Sequence, residues 1–462
     1  MTDLPEGWEV ASIKDLFEFK YGKGLTQEKR KPDGGSPVYG SNGVVGEHDR
    51  AITRGPTIIV GRKGSVGEVH FSPAKCWPID TTYFIDEFPD GSPPEYWALY
   101  LRSLRLGQQE KSSAIPGISR DDIYRLNVAI PPLNEQRRIV VKIEELLGKV
   151  DACQKRLAKI PVILKRFRQS VLAAACSGRL TAEWRDSQSS LSSADALLSR
   201  IEPGFEPLAR DAVGIEDLPE GWVVARFGIV VDSIRGGSTA VPTKQPTGFP
   251  ILRSSSVRPG FVDLEDVKYL GAEDSENELN YLMDGDLLFT RLSGSLDYVA
   301  NCAKVRGLCG RRIQYPDRLF RAKVEAMDTS FCELIFSAPF VRKLITERAK
   351  SSAGHQRVSI SDITRQPIPI AALEEQLEIV RRVEKLFTLA DQIAGRYRRT
   401  QAQLDNLPQS ILGKAFRGEL VPTEAELARR EGRYYEPASI LLERIREARE
   451  GHSRKPRTNS SA

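Results

Sequence analysis

A heptad pattern that occurs twice is the feature of this sequence that most constrains its fold. In residues 133–180, apolar or nearly apolar side chains recur in alternating steps of four and three, which places them on one face of a long α-helix. These positions are Ile139, Ile143, Leu146, Val150, Cys153, Leu157, Ile160, Leu164, Phe167, Val171 and Ala174. At about 1.5 Å per residue, a helix over most of this segment is roughly 65 Å long. Such a helix cannot bury its apolar stripe within one small domain.

The second copy of this segment covers residues 373–420. Its seam consists of Ile379, Val383, Leu386, Ala390, Ile393, Tyr397, Thr400, Leu404, Leu407 and Ile411. The two copies also share Glu-Gln near their start and Gln-Ser near their end, which two unrelated surface helices would not explain. We therefore expect an antiparallel coiled coil with pseudo-twofold symmetry. Pro161 predicts a kink or a break in the first helix, where the second copy has Gln401.

The duplication extends to the segments that precede each helix. Leu-Pro-Glu-Gly-Trp occurs at residues 4–8 and again at 218–222. Short apolar runs bounded by Gly and Pro predict strands over 57–60, 82–85, 126–130, 286–289 and 368–370, and helices are predicted over 94–106 and 339–349. Each segment is expected to be a mixed α/β unit with a mostly antiparallel sheet, so that the whole chain has an α+β fold.

These patterns divide the chain into six parts. Residues 1–132 and 218–372 are the two predicted globular domains, and residues 133–180 and 373–420 are the long helices that follow them. Residues 181–217 are predicted to form a linker with a short helix, and residues 421–462 a C-terminal helix with a basic, disordered tail.

Composition excludes several classes of protein. The chain has 462 residues, a net charge of +5, 28% charged and 40% hydrophobic residues, which is typical of a globular protein with extended polar helices. No apolar run approaches the roughly 20 residues that span a bilayer, and the N-terminus lacks a signal pattern. Six scattered cysteines indicate reduced core thiols in a cytoplasmic protein. The four histidines are not spaced as metal ligands.

No catalytic motif is evident. The glycine clusters at residues 40–46 and 61–67 do not fit a phosphate-binding loop. The Ser-Pro-Pro-Glu stretch at residues 92–95 has a glutamate where amino-methyltransferases place an aromatic residue. We therefore predict no catalytic residue and no metal site.

Several polar loops that contain glycine are instead suited to binding DNA. Arginine commonly reads guanine, and serine or backbone amides contact phosphate. The predicted DNA-binding residues are Lys23, Tyr39, Ser41, Asn42, Arg62, Lys63, Ser65, Arg235, Arg253, Ser254, Ser255, Arg291, Ser293, Ser295, His355 and Gln356. Each loop alone is compatible with an ordinary turn, but recurrence in both copies favours a shared type of surface.

The arrangement resembles the specificity subunit of type I restriction-modification systems. The resemblance is carried by the two Leu-Pro-Glu-Gly-Trp motifs, the Ile-x-x-Leu-x-Glu-Gln entries at residues 130–136 and 370–376, and the Gln-Ser-[Val/Ile]-Leu and Gly-[Arg/Glu]-Leu endings. It implies two target recognition domains, each reading one half of a bipartite double-stranded DNA target, and helices that set the spacing between the halves.

The resemblance also implies partners. Two modification subunits would bind S-adenosylmethionine and methylate adenine, restriction subunits would use ATP and Mg, and this chain would bind no cofactor. Docking of the modification subunits is expected at Glu135, Gln136, Glu375 and Gln376. Ala371-Ala372 replaces the first copy's Pro131-Pro132, which departs from perfect symmetry. The alternative functions are a coiled-coil scaffold that binds proteins and an atypical DNA methyltransferase.

Overall fold

The computed structural model of the chain describes residues 4–109, 117–215, 217–243, 248–271, 278–352 and 355–453. The chain forms two compact units. Unit 1 comprises Met1–Ala158 together with Arg398–Ala462, and unit 2 comprises Lys159–Tyr397. Unit 1 is thus built from both ends of the chain, whereas unit 2 is continuous in sequence.

The structure has helices in each region where the sequence predicts one, together with several short helices that were not predicted. They are α1 (Ile13–Leu16), α2 (Pro94–Ser103), α3 (Arg120–Tyr124), α4 (Leu133–Leu157), α5 (Ile160–Cys176), α6 (Ala182–Asp186), α7 (Ala194–Ile201), α8 (Thr329–Ser337), α9 (Pro339–Arg348), α10 (Ile360–Thr364), α11 (Leu373–Ala415), α12 (Glu424–Glu431) and α13 (Ala438–Ser453).

The strands are short, and most lie in antiparallel sheets. They are β1 (Glu9–Ser12), β2 (Lys20–Tyr21), β3 (Ser36–Gly40), β4 (Gly43–His48), β5 (Thr57–Gly61), β6 (Val69–Ser72), β7 (Trp77–Pro78), β8 (Thr82–Ile85), β9 (Asn127–Ile130), β10 (Val223–Arg226), β11 (Val231–Gly236), β12 (Phe249–Leu252), β13 (Val257–Arg258), β14 (Phe261–Val262), β15 (Val267–Leu270), β16 (Leu287–Thr290), β17 (Leu292–Ser293), β18 (Cys302–Lys304), β19 (Leu319–Val324), β20 (Lys350–Ser352), β21 (His355–Arg357) and β22 (Pro367–Ile370).

Both units contain the same four-stranded antiparallel sheet. Its order is β2-β8-β5-β6 in unit 1 and β11-β19-β16-β18 in unit 2. In each unit, the strand after the Leu-Pro-Glu-Gly-Trp motif pairs with the strand that leads into a long helix, β1 with β9 and β10 with β22. The prediction of mixed, mostly antiparallel units is confirmed. Unit 2 additionally carries the hairpins β12-β15 and β13-β14 between β11 and β16, in its longer connection.

Each unit has its own apolar core. Ile58 and Val60 of β5 pack with Trp97 of α2 in unit 1. Leu287 and Phe289 of β16 hold the equivalent places in unit 2. β5 and β16 read as continuous apolar runs because both of their faces are covered. All six cysteines are free, but Cys153 and Cys309 are exposed, so the expectation of core thiols is wrong for these two.

The long helices behave differently in the two copies. In the first copy, α4 ends at Leu157 and α5 begins at Ile160, which confirms the predicted interruption. Pro161 lies in the first turn of α5, where its missing N–H removes no helical hydrogen bond. In the second copy, α11 continues through Pro408 without a break.

The helices pack in antiparallel pairs within each unit. In unit 1, Ile139 and Ile143 near the start of α4 share a core with Leu412 near the end of α11. In unit 2, Arg168 of α5 forms an ion pair of 2.7 Å with Asp391 of α11. Seam positions such as Ile143 and Val383 are buried, whereas Cys153 is exposed and Ile393 and Leu407 are each 40% exposed.

A further helix completes each core. Ala194 and Leu198 of α7 are buried in unit 2, and Ala438 and Leu441 of α13 are buried in unit 1. These are the repeated helices of the linker and the C-terminal segment. Residues 454–462, for which a disordered tail was predicted, lie outside the described residues. No helix within the described part of the chain is long and apolar enough to cross a membrane.

Candidate nucleic-acid interface

The predicted loops of unit 1 converge on the segment that connects β7 and β8. The carbonyl oxygen of Thr81 accepts hydrogen bonds from the backbone N–H groups of Arg62 and Lys63, at 2.9 and 3.2 Å. It also accepts one from the Ser41 hydroxyl at 2.8 Å. The backbone N–H of Lys23 donates to the carbonyl of Pro78, the last residue of β7, at 2.9 Å. The fold therefore brings residues from three separate loops to one end of the sheet.

The side chains in these loops differ in exposure. Lys23, Asn42 and Lys63 are exposed, and Arg62 and Ser65 are partly buried. Tyr39 and Ser41 are buried, at 9% and 7% exposure, so the structure corrects the prediction that their side chains contact DNA directly. Tyr39 packs on Ile59 and Cys76 in a small core, and Ser41 holds the loop through Thr81.

Arg62 is held by aromatic rings at the end of β5. Its guanidinium carbon lies 5.9 Å from the ring centroid of Tyr83, the residue of β8 that pairs with Val60. It lies 5.3 Å from the ring centroid of Tyr21. A stacked guanidinium keeps its N–H edge free for a phosphate or a base. No carboxylate among the described residues pairs with Arg62, so its positive charge is not neutralised.

Arg291 occupies the equivalent place in unit 2. It directly follows β16, and its guanidinium carbon lies 5.6 Å from the ring centroid of Phe320. Phe320 pairs with Phe289, as Tyr83 pairs with Val60. The backbone carbonyl of Arg291 accepts from Val358, as that of Arg62 accepts from Ile118. Arginine, aromatic residue and supporting segment are therefore repeated in both units.

Other predicted residues of unit 2 lie close to Arg291. Ser293 in β17 pairs with Gln356 in β21, and the Ser293 hydroxyl accepts from the backbone N–H of Ser295 at 3.2 Å. Ser293, Ser295 and Gln356 are partly buried. His355 begins β21 and pairs with Ser352. These residues extend the Arg291 site along one short sheet.

The serine-rich loop after β12 forms a network of its own. Asp266 accepts from the Arg253 guanidinium at 3.1 Å and from the Ser255 hydroxyl at 2.9 Å. Burial opposes the charge of Asp266, but the hydrogen bonds from Ser255 and Arg253 outweigh it and lower its pKa. Ser254 is partly buried in the same turn. Within the described residues, no hydrogen bond or ion pair joins this network to Arg291.

Arg235 lies in β11 opposite Arg321 and is partly buried. Its backbone belongs to the sheet, and its charge lies near the buried side chains of Tyr315 and Asp286. Burial raises the pKa of Asp286 and outweighs the lowering effect of the nearby Arg321. Arg235 therefore differs from Arg62 and Arg291, which stand at strand ends.

The four residues expected to dock partners are buried. Glu135, Gln136, Glu375 and Gln376 are 0%, 0%, 1% and 0% exposed. Gln136 donates to the carbonyl of Pro131 at 3.0 Å, and Gln376 donates to that of Ala371 at 2.8 Å. The structure corrects the expectation of a docking surface at these side chains, because buried groups with internal partners cannot form one.

Instead, the two glutamates anchor the Leu-Pro-Glu-Gly-Trp motifs. In unit 1, Glu135 accepts from the indole N–H of Trp8 at 3.0 Å and from the backbone N–H of Glu424 at 2.8 Å. Burial raises the pKa of Glu135 to about 7, against the effect of these two donors. Glu424 itself is paired with Arg138 and Arg433, which keep its pKa low despite burial.

The anchor of unit 2 has a different set of donors. Glu375 accepts from the indole N–H of Trp222 at 2.8 Å, from the hydroxyl of Thr181 at 2.7 Å and from the guanidinium of Arg185 at 2.6 Å. A cation therefore touches Glu375, whereas Glu135 receives N–H groups from neutral donors. We missed the tryptophans as structural partners, although each lies in a motif that repeats with the Glu-Gln pair.

The described residues contain no group of His, Cys, Asp and Glu side chains that could hold a metal ion. What the two units share is a stacked arginine at the same strand end, placed on a duplicated α/β scaffold with paired helices. This architecture is typical of proteins built from two similar domains, each with its own candidate binding site.

The chain belongs to the specificity subunits of type I restriction enzymes. It is 31% identical to the StySPI specificity subunit of Salmonella potsdam over 90% of both chains. It is 28% identical to the EcoDI specificity subunit of Escherichia coli over 90% of this chain and 89% of that one. The match to the EcoKI specificity subunit of Escherichia coli strain K12 is 39% identical, over 64% of this chain and 58% of that one.

A family model matches part of the chain, and two solved structures share its fold. The model of the type I restriction modification DNA specificity domain matches residues 5–162. The fold is similar to a chain from a type I restriction-modification system, with a TM-score of 0.63 at 17% identity, covering 91% of this chain and all of that one. It is also similar to the HsdS subunit of Thermoanaerobacter tengcongensis, with a TM-score of 0.53 at 19% identity, covering 90% and 98%. The membership favours the specificity subunit among the functions considered above.

Proposed function

We propose that this chain is the DNA-recognition subunit of a type I restriction-modification complex and that each unit reads one half of a bipartite, asymmetric double-stranded target. The observation that carries the proposal is the equivalent placement of Arg62 and Arg291, each stacked on an aromatic residue at the same strand end. The loops around the two arginines differ, so the two half-sites are expected to differ as well.

Alanine substitution tests this proposal. Arg62→Ala is expected to impair recognition of one half-site and Arg291→Ala that of the other. Loss of discrimination at one half-site indicates base reading, at a cost of about 1–3 kcal/mol per base contact. A uniform loss of affinity with a shallower salt dependence indicates a phosphate contact. Unchanged affinity and unchanged salt dependence in both variants would remove these arginines from the interface.

The long helices are proposed to set the spacing between the half-sites. Gln154 of α4 lies 3.4 Å from Asp405 of α11, so residues 148–154 and 405–411 are matched heptads of the antiparallel pair. Removing both heptads shortens the pair by roughly 10 Å, or about three base pairs of a duplex that repeats every 34 Å. Genome-wide mapping of methylated adenines should then show a spacer about three base pairs shorter. An unchanged spacer contradicts this role.

The chemistry is proposed to reside in the partners. Two modification subunits would bind S-adenosylmethionine and methylate adenine, restriction subunits would use ATP and Mg, and this chain would hold no cofactor and catalyse no reaction. The complex would act in the cytoplasm, where it meets DNA. Because Glu135 and Glu375 are buried, docking would use exposed helix faces, on which Val141 of α4 is 67% exposed and Leu377 of α11 is 53% exposed.

A further inference from the structure

We infer that Tyr21, Arg62 and Arg120 together form a phosphate-binding site in unit 1, and that unit 2 lacks its counterpart. The inference rests on the proposed function, that the chain binds duplex DNA, and it assigns part of that binding to a cluster of three side chains. Arg120 was not predicted from the sequence to contact DNA.

Two arginines share the ring of Tyr21. The guanidinium carbons of Arg62 and Arg120 lie 5.3 and 5.4 Å from its centroid. Arg120 begins α3, and its guanidinium carbon also lies 5.8 Å from the ring centroid of Tyr124. The Arg120 guanidinium donates one hydrogen bond, to the carbonyl of Phe19 at 3.4 Å. The two guanidinium groups are thus brought together by aromatic residues rather than by carboxylates.

The position of Tyr21 is fixed by the sheet. It is the last residue of β2 and pairs with Tyr83, whose ring centroid is 5.1 Å from its own. Gly22 follows in very close contact with β7-β8, because a Cβ atom there would lie 2.0 Å from the carbonyl oxygen of Ile79. The ring nevertheless remains at the surface, since Tyr21 is 52% exposed. The cluster is therefore both rigid and accessible.

The charge of the cluster favours an anion. Among the described residues, neither Arg62 nor Arg120 forms an ion pair with a carboxylate, whereas Asp122 on the same helix is engaged by Ser119 and Arg125. Two neighbouring guanidinium groups repel each other, and a phosphate between or beside them relieves that repulsion through charge-assisted hydrogen bonds. Because guanidinium groups already lie over the Tyr21 ring, we assign the site to phosphate rather than to base stacking.

Unit 2 retains only one element of this arrangement. Gly236 of β11 pairs with Phe320, and so takes the register position of Tyr21. Ser359 caps α10 as Ser119 caps α3, which places Ile360 where unit 1 has Arg120. Arg291 remains, but it lies 3.8 Å from the carboxylate of Asp317 and donates to the Asp317 backbone at 3.2 Å. The two units are therefore expected to hold the DNA backbone unequally.

Salt dependence of DNA binding tests the inference. The full-length chain, assembled with the modification subunits of its own system, is titrated with a duplex containing its target, and the affinity is measured between 50 and 200 mM salt. Arg120→Ala is expected to reduce the steepness of log affinity against log salt by about 0.9, which corresponds to the loss of one phosphate contact. Over this fourfold range of salt, the drop in affinity should therefore be about 3.5-fold smaller than for the unmodified chain. Preference for the bases of either half-site should not change.

Matched variants separate a binding role from a structural one. Arg125→Ala removes an exposed arginine from the end of the same helix and should leave the slope unchanged, because Arg125 pairs with the carboxylate of Asp122. Arg120→Lys keeps the charge and should restore most of the slope. Tyr21→Phe keeps the ring and should behave as the unmodified chain, whereas Tyr21→Ala should lower the slope.

The outcomes are distinguishable. If Arg120→Ala gives the same slope as Arg125→Ala, or if it alters base preference at an unchanged slope, the phosphate site is wrong while DNA recognition by the chain stands. If the unmodified complex fails to prefer its target over unrelated duplex, the proposed function itself fails.

Discussion

The different donors around the two buried glutamates predict that one substitution has unequal effects in the two units. Trp8→Phe removes the indole N–H that donates to Glu135 at 3.0 Å, and leaves this carboxylate with the backbone N–H of Glu424. Trp222→Phe removes the corresponding bond of 2.8 Å to Glu375, and leaves Thr181 and Arg185 in place. The substitution is identical, in the same five-residue motif.

The magnitude follows from what each carboxylate retains. Both indoles are buried, at 5% and 2% exposure, so the lost apolar contact and the small cavity are similar in the two variants. Removing a donor from a buried charged group costs about 1.5–3 kcal/mol. The guanidinium of Arg185 continues to compensate the charge of Glu375, whereas Arg138 is committed to Glu424 in unit 1. We therefore expect Trp8→Phe to be the more destabilising by about 1–2 kcal/mol.

Hydrogen exchange provides the measurement, because it reports on each unit separately where one melting temperature does not. Exchange of β1 reports on unit 1, and exchange of β10 reports on unit 2. At pH 8.5, Trp8→Phe should reduce the protection of β1 against hydrogen exchange by more than Trp222→Phe reduces the protection of β10. At pH 5.5 the difference should shrink, because the pKa of Glu135 is about 7 and its carboxyl is then neutral. Equal losses at pH 8.5, or a larger loss in unit 2, would refute the reasoning.

Two further predictions concern unit 1. Because the pKa of Glu135 is raised on folding, from 4.5 to about 7, its contribution to stability is complete below about pH 4.5 and is lost as the pH rises to about 7. At about 1.36 kcal/mol per pKa unit, the free energy of unfolding of unit 1 should fall by roughly 3 kcal/mol over this range. Glu135→Gln should flatten this pH dependence, which hydrogen exchange measured at several pH values would show. An unaltered pH dependence in this variant would contradict the prediction. Deleting residues 424–462 removes the Glu424 donor and the buried Leu441. Hydrogen exchange of β1 should then accelerate strongly, while that of β10 should stay unchanged. Equal acceleration in both strands would contradict the division into two units.

Much of the fold was predictable because its signals are local. The apolar runs that became β5, β8 and β16 are bounded by turn residues, and their lengths leave little ambiguity. The position of Pro161 alone was sufficient to predict the break between α4 and α5. The same argument would have predicted a break at Pro408, where α11 is continuous, so a proline signals an interruption without determining it.

The roles of polar side chains were less predictable because they depend on distant partners. The Glu-Gln pair at the start of each long helix is polar and repeated, which favours a surface interpretation. Its partner Trp8 lies far away in sequence and is brought to Glu135 only when β1 pairs with β9. Arg120 shows the reverse case. Nothing in its local sequence indicates the proposed phosphate contact, and only the fold brings α3 to the ring of Tyr21.

The two units take the helix that closes their core from different parts of the chain. Unit 2 obtains the helix that closes its core, α7, from the segment that directly follows its own long helix α5, and is continuous over Lys159–Tyr397. Unit 1 obtains the equivalent helix, α13, from the far end of the chain. The second donor to Glu135 likewise comes from α12, whereas Thr181 and Arg185 reach Glu375 from its own unit's linker. Unit 2 can therefore fold as soon as its residues are synthesised, but the first recognition unit is complete only when the last helix has been made, because its buried charge and part of its core depend on that helix.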